Sequence, residues 1–256
     1  MKSFASIPKF CISLKRSTGR RRLMIKEFKK HRISVQLWDA VDGKKVKIPE
    51  LSVKNKYAHA AGIYGCMMSH LEVMRYAVDK GMKAICVFED DIVLSDDFKK
   101  RIKYIESLRN FSFDILSLGG HFPSEERIGN NASPTRWNHI YRIVTLSGSY
   151  GYIINKKAME FCIRNLTYNY GIDEMLGSEV YRRFRSFAFL PFMVGIRSCK
   201  SEIVGKVVGY KDYFYEAKHV NLKLPFVAPE GLDRWKMKER IVAEQDRHRE
   251  EWLKNN

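Results

Sequence analysis

The stretch Ile85-Cys86-Val87-Phe88-Glu89-Asp90-Asp91-Ile92 decides the reading of this chain. Four apolar residues in a row predict a buried strand of a mixed or parallel sheet, and that strand runs straight into three consecutive carboxylates. Adjacent acids repel one another, which costs stability at the mouth of a buried strand. A bound divalent cation removes the conflict, because oxygen ligands suit Mn²⁺ or Mg²⁺. A strand ending in a solvated acidic turn is the plainer alternative.

The flanking sequence supplies the context. Upstream, Phe10 to Leu14 reads as a first strand, Ser17-Thr18-Gly19 as a turn opening a basic helix from Arg20 to His31, and Val35 to Trp38 as a second strand closed by Asp39-Ala40-Val41-Asp42-Gly43. Strand, helix, strand is a βαβ opening. Lys44 to Lys56 is polar and predicts a loop. From Gly65 to Lys80, Met67, Met68, Leu71, Val73, Met74 and Ala77 approximate helical spacing, and Gly81 stands where a helix C-cap belongs. Downstream, a helix is expected over Asp96 to Leu108 and a strand over Phe113 to Leu118. The Gly-, Pro-, Ser- and Asn-rich stretch Gly119 to Asn138 predicts a long loop. Strands follow at Ile140 to Leu146 and Tyr150 to Ile154 around Ser147-Gly148-Ser149, then a helix at Lys156 to Leu166 and a shorter one from Asp173. Ala188 to Val194 is a further apolar strand, placed near a sheet edge by Pro191.

The 256 residues suffice for one large domain or two small ones, with ample core. No apolar run approaches a membrane span, and Met1 to Phe10 lacks the continuous apolar region of a cleaved signal. Cys11, Cys66, Cys86, Cys162 and Cys199 are scattered in apolar contexts without a paired spacing such as CxxC, which reads as buried free thiols in a reducing compartment. The net charge of +17 is the unusual number. It attracts polyanions, whether nucleic acid, an anionic membrane face or phosphorylated ligands. No helix-turn-helix, RNP or zinc-knuckle pattern supports nucleic acid.

Neither GxGxxG nor GxxxxGK[ST] follows the first strand. Instead Leu14-Lys15-Arg16-Ser17-Thr18-Gly19-Arg20-Arg21 offers backbone N–H groups and guanidinium forks where open α/β sheets bind nucleotides. A solvated basic helix start is the alternative. A basic loop after the first strand and a carboxylate cluster after a later one suit an enzyme that handles a metal-bound nucleoside diphosphate. Glycosyl transfer is its natural chemistry, with the cation stabilising the leaving diphosphate and a general base for the acceptor hydroxyl.

Six segments in order carry a resemblance. They are Phe10-Cys11-Ile12-Ser13-Leu14-Lys15-Arg16-Ser17-Thr18-Gly19-Arg20-Arg21, Gly65-Cys66-Met67-Met68-Ser69-His70, Val87-Phe88-Glu89-Asp90-Asp91, Asp114-Ile115-Leu116-Ser117-Leu118-Gly119, Gly148-Ser149-Tyr150-Gly151-Tyr152-Ile153-Ile154 and Gly171-Ile172-Asp173-Glu174-Met175-Leu176. Together, over about Lys9 to Ile203, the chain resembles glycosyltransferase family 25, the bacterial lipooligosaccharide galactosyltransferases and their collagen-modifying relatives. The resemblance implies a GT-A-type α/β fold, with a central mixed, mainly parallel sheet flanked by helices. It further implies inverting, Mn²⁺-dependent (or Mg²⁺-dependent) transfer, most often from UDP-galactose and sometimes from UDP-glucose. Glu89-Asp90-Asp91 fills the place of the DxD motif, a departure from its strict form. Asp91 ligates the metal, Glu89 approaches the metal or the ribose, and Asp90 supports them at the nucleotide. Ser13, Arg16 and Arg20 line the nucleotide pocket, with Ala40 and Asp42 beside the uracil and ribose. Gly62-Ile63-Tyr64 is apolar where family members often carry an acid.

Asp173 matches an acidic position of the family motif and is the candidate base, with Glu174 as the second choice; a helix N-cap is the other role open to Asp173. Ser69 and His70 either face the sheet edge beneath the nucleotide or include a hydrogen-bonded, half-buried histidine. Ser201 and His219 are weaker candidates for a further metal or diphosphate contact. The resulting expectation is a catalytic domain over residues 1–232 and a basic C-terminal helix over 233–256 that packs on the body or lies on an anionic bilayer. The enzyme would be cytoplasmic and peripheral on the inner face of a bacterial membrane. It would move a hexose from a UDP-sugar to a lipid-anchored oligosaccharide. A metal-dependent phosphotransferase or nuclease and a non-catalytic carbohydrate-binding homologue are the rival classes.

Overall fold

The computed structural model describes residues 3–48, 59–121, 132–165, 171–197, 199–200 and 207–208. Strand β1 (Lys9–Ser13) is buried at every position, as an apolar run in mid-sheet must be. It leads into α1 (Thr18–Lys30) and β2 (Gln36–Asp39), which completes the expected βαβ opening. Helix α2 (Ala60–Asp79) begins upstream of Gly65 and ends just before Gly81, whose φ of +67° fits the left-handed turn that stops a helix. Strand β3 (Ala84–Glu89) carries the apolar run. It stops at Glu89, the chain turns through Asp90-Asp91, and β4 (Ile92–Leu94) starts a separate ribbon.

Helix α3 (Phe98–Ser107), β5 (Ile115–His121), β6 (Ala132–Pro134), β7 (Ile140–Ile143) and β8 (Ser147–Asn155) follow. Helix α4 (Lys156–Arg164) is capped by the Asn155 side chain, which accepts from the Ala158 N–H. The short α5 (Ile172–Met175) continues into a wider π turn, Leu176–Val180. Strands β9 (Ser186–Phe189) and β10 (Val194–Ile196) complete the main body.

The eight-stranded sheet has the order β2-β1-β3-β8-β5-β9-β7-β6. β1 pairs parallel with β2 and β3, and β5 pairs parallel with β9. β8 runs antiparallel between β3 and β5, and β7 antiparallel between β9 and β6. Thus β2, β1, β3, β5, β9 and β6 all point one way and only β8 and β7 oppose them. This is the expected mixed sheet of a GT-A-type α/β domain.

Side-chain alternation along β3 explains why its apolar run is continuous. Ile85 and Val87 enter one core with α2, α4 and α5, while Cys86 and Phe88 enter the other with α1 and α3. Both faces are covered, so neither set can be polar.

Three expectations change. Ala188 to Val194 is not one edge strand: β9 lies inside the sheet between β5 and β7, and β10 pairs with β4, with Pro191 in the connection. Ser147-Gly148-Ser149 belongs to β8 rather than to a link between strands. Gly119, Gly120 and His121 extend β5 and Ala132 to Pro134 form β6, so the predicted loop contains strand at both ends. Within it, residues 122–131 lie outside the described residues, as do the C-terminal helix expected at 233–256, Ser201 and His219. Among the described residues no helix is long and apolar enough to cross a membrane.

Candidate active site

Parallel pairing of β1 with β3 sets Ile12 opposite Glu89, and pairing with β2 sets Ser13 opposite Asp39. The loops that follow these three strands therefore leave the sheet side by side, at the carboxyl edge where open α/β sheets take their ligands. They enclose a cleft that is open to solvent. Ser13, Arg16, Arg20, Ala40 and Asp42 line it together with Glu89, Asp90 and Asp91. All eight residues assigned to nucleotide or metal from the sequence thus meet in one place.

Their contacts divide the acidic triplet into distinct parts. Asp90 faces β1: its carboxylate accepts from Ser13 Oγ at 2.5 Å and from Arg20 Nη1 at 2.5 Å. Asp91 accepts from Arg20 Nη2 at 2.6 Å, while its Oδ1 is buried with no hydrogen-bond partner. Glu89 accepts from Ser149 Oγ at 2.5 Å. Burial, then the neighbouring Asp91 charge, pushes the Glu89 carboxyl up to about 8. Asp91 is also raised, by burial, against the opposing pull of Arg20. Two carboxylates this crowded resist shared ionisation, and the Arg20 guanidinium serves Asp90 and Asp91 while no Lys or Arg among the described residues pairs with Glu89. An all-oxygen pair with an orphaned, buried Oδ1 fits a hard divalent cation.

At the mouth, Arg16 pairs with Asp42, so the basic loop and the β2 loop close on each other. Arg21, not singled out from the sequence, bonds Asp39 and donates to the carbonyls of Ser13 at 2.7 Å and Leu14 at 3.2 Å. The β2 loop is anchored on α2 by backbone approach: a Cβ on Gly43 would meet Ala61 O at 1.7 Å, and one on Gly65 would lie 2.7 Å from Gly43 N and Val41 O. Ser69 Oγ accepts from the Val41 N–H at 2.8 Å and donates to Gly65 O at 2.6 Å. Ser69 and His70 both line the cleft; His70 is the hydrogen-bonded histidine of the plainer reading, but fully buried at 1% exposure rather than half-buried.

Asp173 and Glu174 are not among the residues that line this cleft. Asp173 accepts from the N–H of Gly148 at 3.1 Å and of Glu174 at 3.0 Å, and its charge contributes to the rise at Glu89. The N-cap of α5 is Gly171, so Asp173 stands in the first helical turn and the capping role falls to Glu174, which accepts from the Gly171 N–H at 3.2 Å. Sequence reasoning missed Ser149, Tyr152 and Cys66. Ser149 and Tyr152 stand three residues apart on β8 yet both reach the Glu89–His70 cluster, and nothing local in the sequence marks them as partners of Glu89 and His70.

The fold and this cleft define a glycosyltransferase-type α/β domain. The chain belongs to glycosyltransferase family 25: the family described as "Glycosyltransferase family 25 (LPS biosynthesis protein)" matches residues 6–176. A mouse relative named "Inactive glycosyltransferase 25 family member 3" is 30% identical over 125 residues, 43% of this chain and 21% of its own length. Human "Procollagen galactosyltransferase 2" is 30% identical over 105 residues, 36% of this chain and 17% of its own. "Procollagen galactosyltransferase 1" of Danio rerio is 23% identical over 218 residues, 72% of this chain and 35% of its own. The chain therefore spans about a fifth of the mammalian relatives. Among solved structures, a glycosyltransferase involved in glycosylation of the PBCV-1 major capsid shares 12% identity with a TM-score of 0.42, covering 72% of this chain and 81% of that one.

Proposed function

We propose that this domain is an inverting glycosyltransferase that moves a hexose, galactose in the first instance, from a UDP-sugar to a lipid-anchored oligosaccharide of the lipooligosaccharide class. One observation carries the reading: the basic loop after β1 and the acidic triplet after β3, tied together by Arg20, line one cleft at the sheet's carboxyl edge. Arg16 sits where a diphosphate would enter, paired with an aspartate that a phosphate can displace. The Ala40 to Asp42 loop, fixed on α2, presents a rigid wall to a nucleoside. Glu89 and Asp91 would hold Mn²⁺ or Mg²⁺, which when bound supplies positive charge to the leaving diphosphate.

Inversion needs a base on the sugar face opposite the leaving group. Asp173 is assigned that role. It accepts the acceptor hydroxyl proton as the new C–O bond forms, while the bond to UDP breaks with its electron pair on the diphosphate. The Gly148 and Glu174 N–H groups hold its carboxylate in place. Glu174 is left to cap α5. The +17 charge favours a peripheral position on an anionic cytoplasmic membrane face, where such an acceptor resides.

The test is UDP release from a panel of UDP-sugars, with Mn²⁺ present or chelated, beside Asp91→Ala and Asp173→Asn. Mn²⁺-dependent release from one sugar, abolished by Asp91→Ala, is expected. Asp173→Asn should lower kcat by about 10²–10⁴-fold with UDP affinity unchanged. UDP binding without transfer to any oligosaccharide acceptor would make the domain a non-catalytic binding module.

A further inference from the structure

Beside the acidic triplet, the cleft floor holds a donor set that a hard cation does not explain. Cys66 and His70 stand one turn apart on α2, on the same face, and Glu89 reaches them from the end of β3. The Cys66 Sγ, a ring nitrogen of His70 and a carboxylate oxygen of Glu89 lie within 4.8 Å of one another. His70 is 1% exposed, and its Nε2, 3.8 Å from Glu89 Oε1, is buried without a hydrogen-bond partner. A buried polar nitrogen left unpaired is a costly feature to keep. The other ring nitrogen, Nδ1, is 2.8 Å from Tyr152 Oη. When Nδ1 donates that hydrogen, Nε2 carries a lone pair directed at the Cys66–Glu89 side. Metal-ligating histidines are held in this way, with an outer partner fixing the tautomer.

We propose that Cys66, His70 and Glu89 form a binding site for a soft divalent cation of the Zn²⁺ class. It is distinct from the Glu89–Asp91 oxygen pair but shares Glu89 with it. One sulfur, one imidazole nitrogen and one carboxylate oxygen are zinc-type donors, and all three residues line the cleft, which leaves a fourth position for water or ligand. Binding converts the Cys66 thiol to a thiolate and releases its proton to solvent, so affinity rises with pH. Because Glu89 serves both positions, Zn²⁺ here removes a ligand from the hard cation and opposes Mn²⁺ occupancy. The cleft would then be sensitive to the Zn²⁺:Mn²⁺ ratio.

The experiment titrates the metal-stripped full chain with Co²⁺, read by the thiolate-to-cobalt charge-transfer absorption, and with Zn²⁺ in competition with a chromophoric chelator. The band should appear in the wild type and in Asp91→Asn, and vanish in Cys66→Ser. Zn²⁺ affinity should fall in Cys66→Ser by more than the roughly 10–100-fold that loss of an outer partner costs, and in Tyr152→Phe within that range. Co²⁺ binding to the wild type without a thiolate band overturns the proposal, whatever the variants do. So does Zn²⁺ binding that survives Cys66→Ser and is lost in Asp91→Asn, which would place the cation on the acidic triplet alone. None of these readouts uses transfer activity, so the site and the transferase reading stand or fall separately.

Discussion

Asp114, at the foot of β5, accepts from the Arg185 backbone N–H at 2.9 Å, from Arg185 Nε at 3.2 Å and Nη2 at 3.0 Å, and from Asn155 Nδ2 at 2.8 Å. One carboxylate thereby ties β5 to the end of β8 and the start of β9. Burial alone would raise this carboxyl, but the hydrogen bonds from Arg185 and Asn155 outweigh it and hold it at about 2. A depressed folded value means that the stabilisation is complete above the unfolded carboxyl near 4 and is lost as pH falls through about 2. Asp114→Ala should therefore lower stability by about 1–3 kcal/mol at neutral pH. In thermal melts its deficit against the wild type should shrink between roughly pH 4 and pH 2. Ser149 offers a second test at this scale. On the proposal that Glu89 holds the cation, Ser149→Ala should weaken Mn²⁺ binding by roughly 10–100-fold, measured by calorimetry. The acidic triplet was legible in the sequence because its members are adjacent and break an apolar run. Ser149 was not, since it meets Glu89 only through the antiparallel pairing of β8 with β3.

At the scale of elements, the proposed nucleotide wall depends on how closely α2 approaches the loop after β2. Gly43 and Gly65 let two backbones touch where side chains would part them. Gly65→Ala places a methyl 2.7 Å from Gly43 N and Val41 O, atoms that cannot rotate away as a flexible side chain can. Overpacking of this kind costs about 1–3 kcal/mol, or roughly 2–4 °C of Tm for each kcal/mol in a domain of this size. Displacing Ala40 and Asp42 should also raise KM for the UDP-sugar more than it lowers kcat, because the wall binds and does not react. Steady-state kinetics across donor concentrations checks this. Helical spacing revealed α2 but not its start at Ala60, because Gly65 resembled a boundary when its purpose is close contact in mid-helix. Similarly, the apolar run around Pro191 read as a single strand. Periodicity cannot show that β9 and β10 belong to different sheets, a matter of pairing with distant strands.

The whole molecule carries its +17 charge unevenly. Helix α1 exposes Arg22, Lys26, Lys29 and Lys30 beside Leu23 at 45% and Ile25 at 53% exposure, and its first turn carries Arg20, which lines the cleft. A basic helix with two outward apolar residues suits an anionic bilayer, with the cations drawn to headgroups and the aliphatic chains entering the interface. Docking through α1 would bring the proposed lipid-anchored acceptor to the edge of the cleft. The order of motifs made the fold class legible in the sequence. This surface was not, because the two exposed apolar residues look like core until the helix has a position. Binding to anionic vesicles should therefore weaken as salt screens the surface, and neutral vesicles should bind poorly. Each Lys near an anionic surface contributes about 1 kcal/mol, so replacing both Lys26 and Lys29 by Ala should reduce vesicle affinity roughly 30-fold. UDP binding in solution should be unchanged, since neither lysine lines the cleft. Equal vesicle affinity for the double variant and the wild type would exclude α1 as the docking face, and truncation before residue 233 would then be the next comparison.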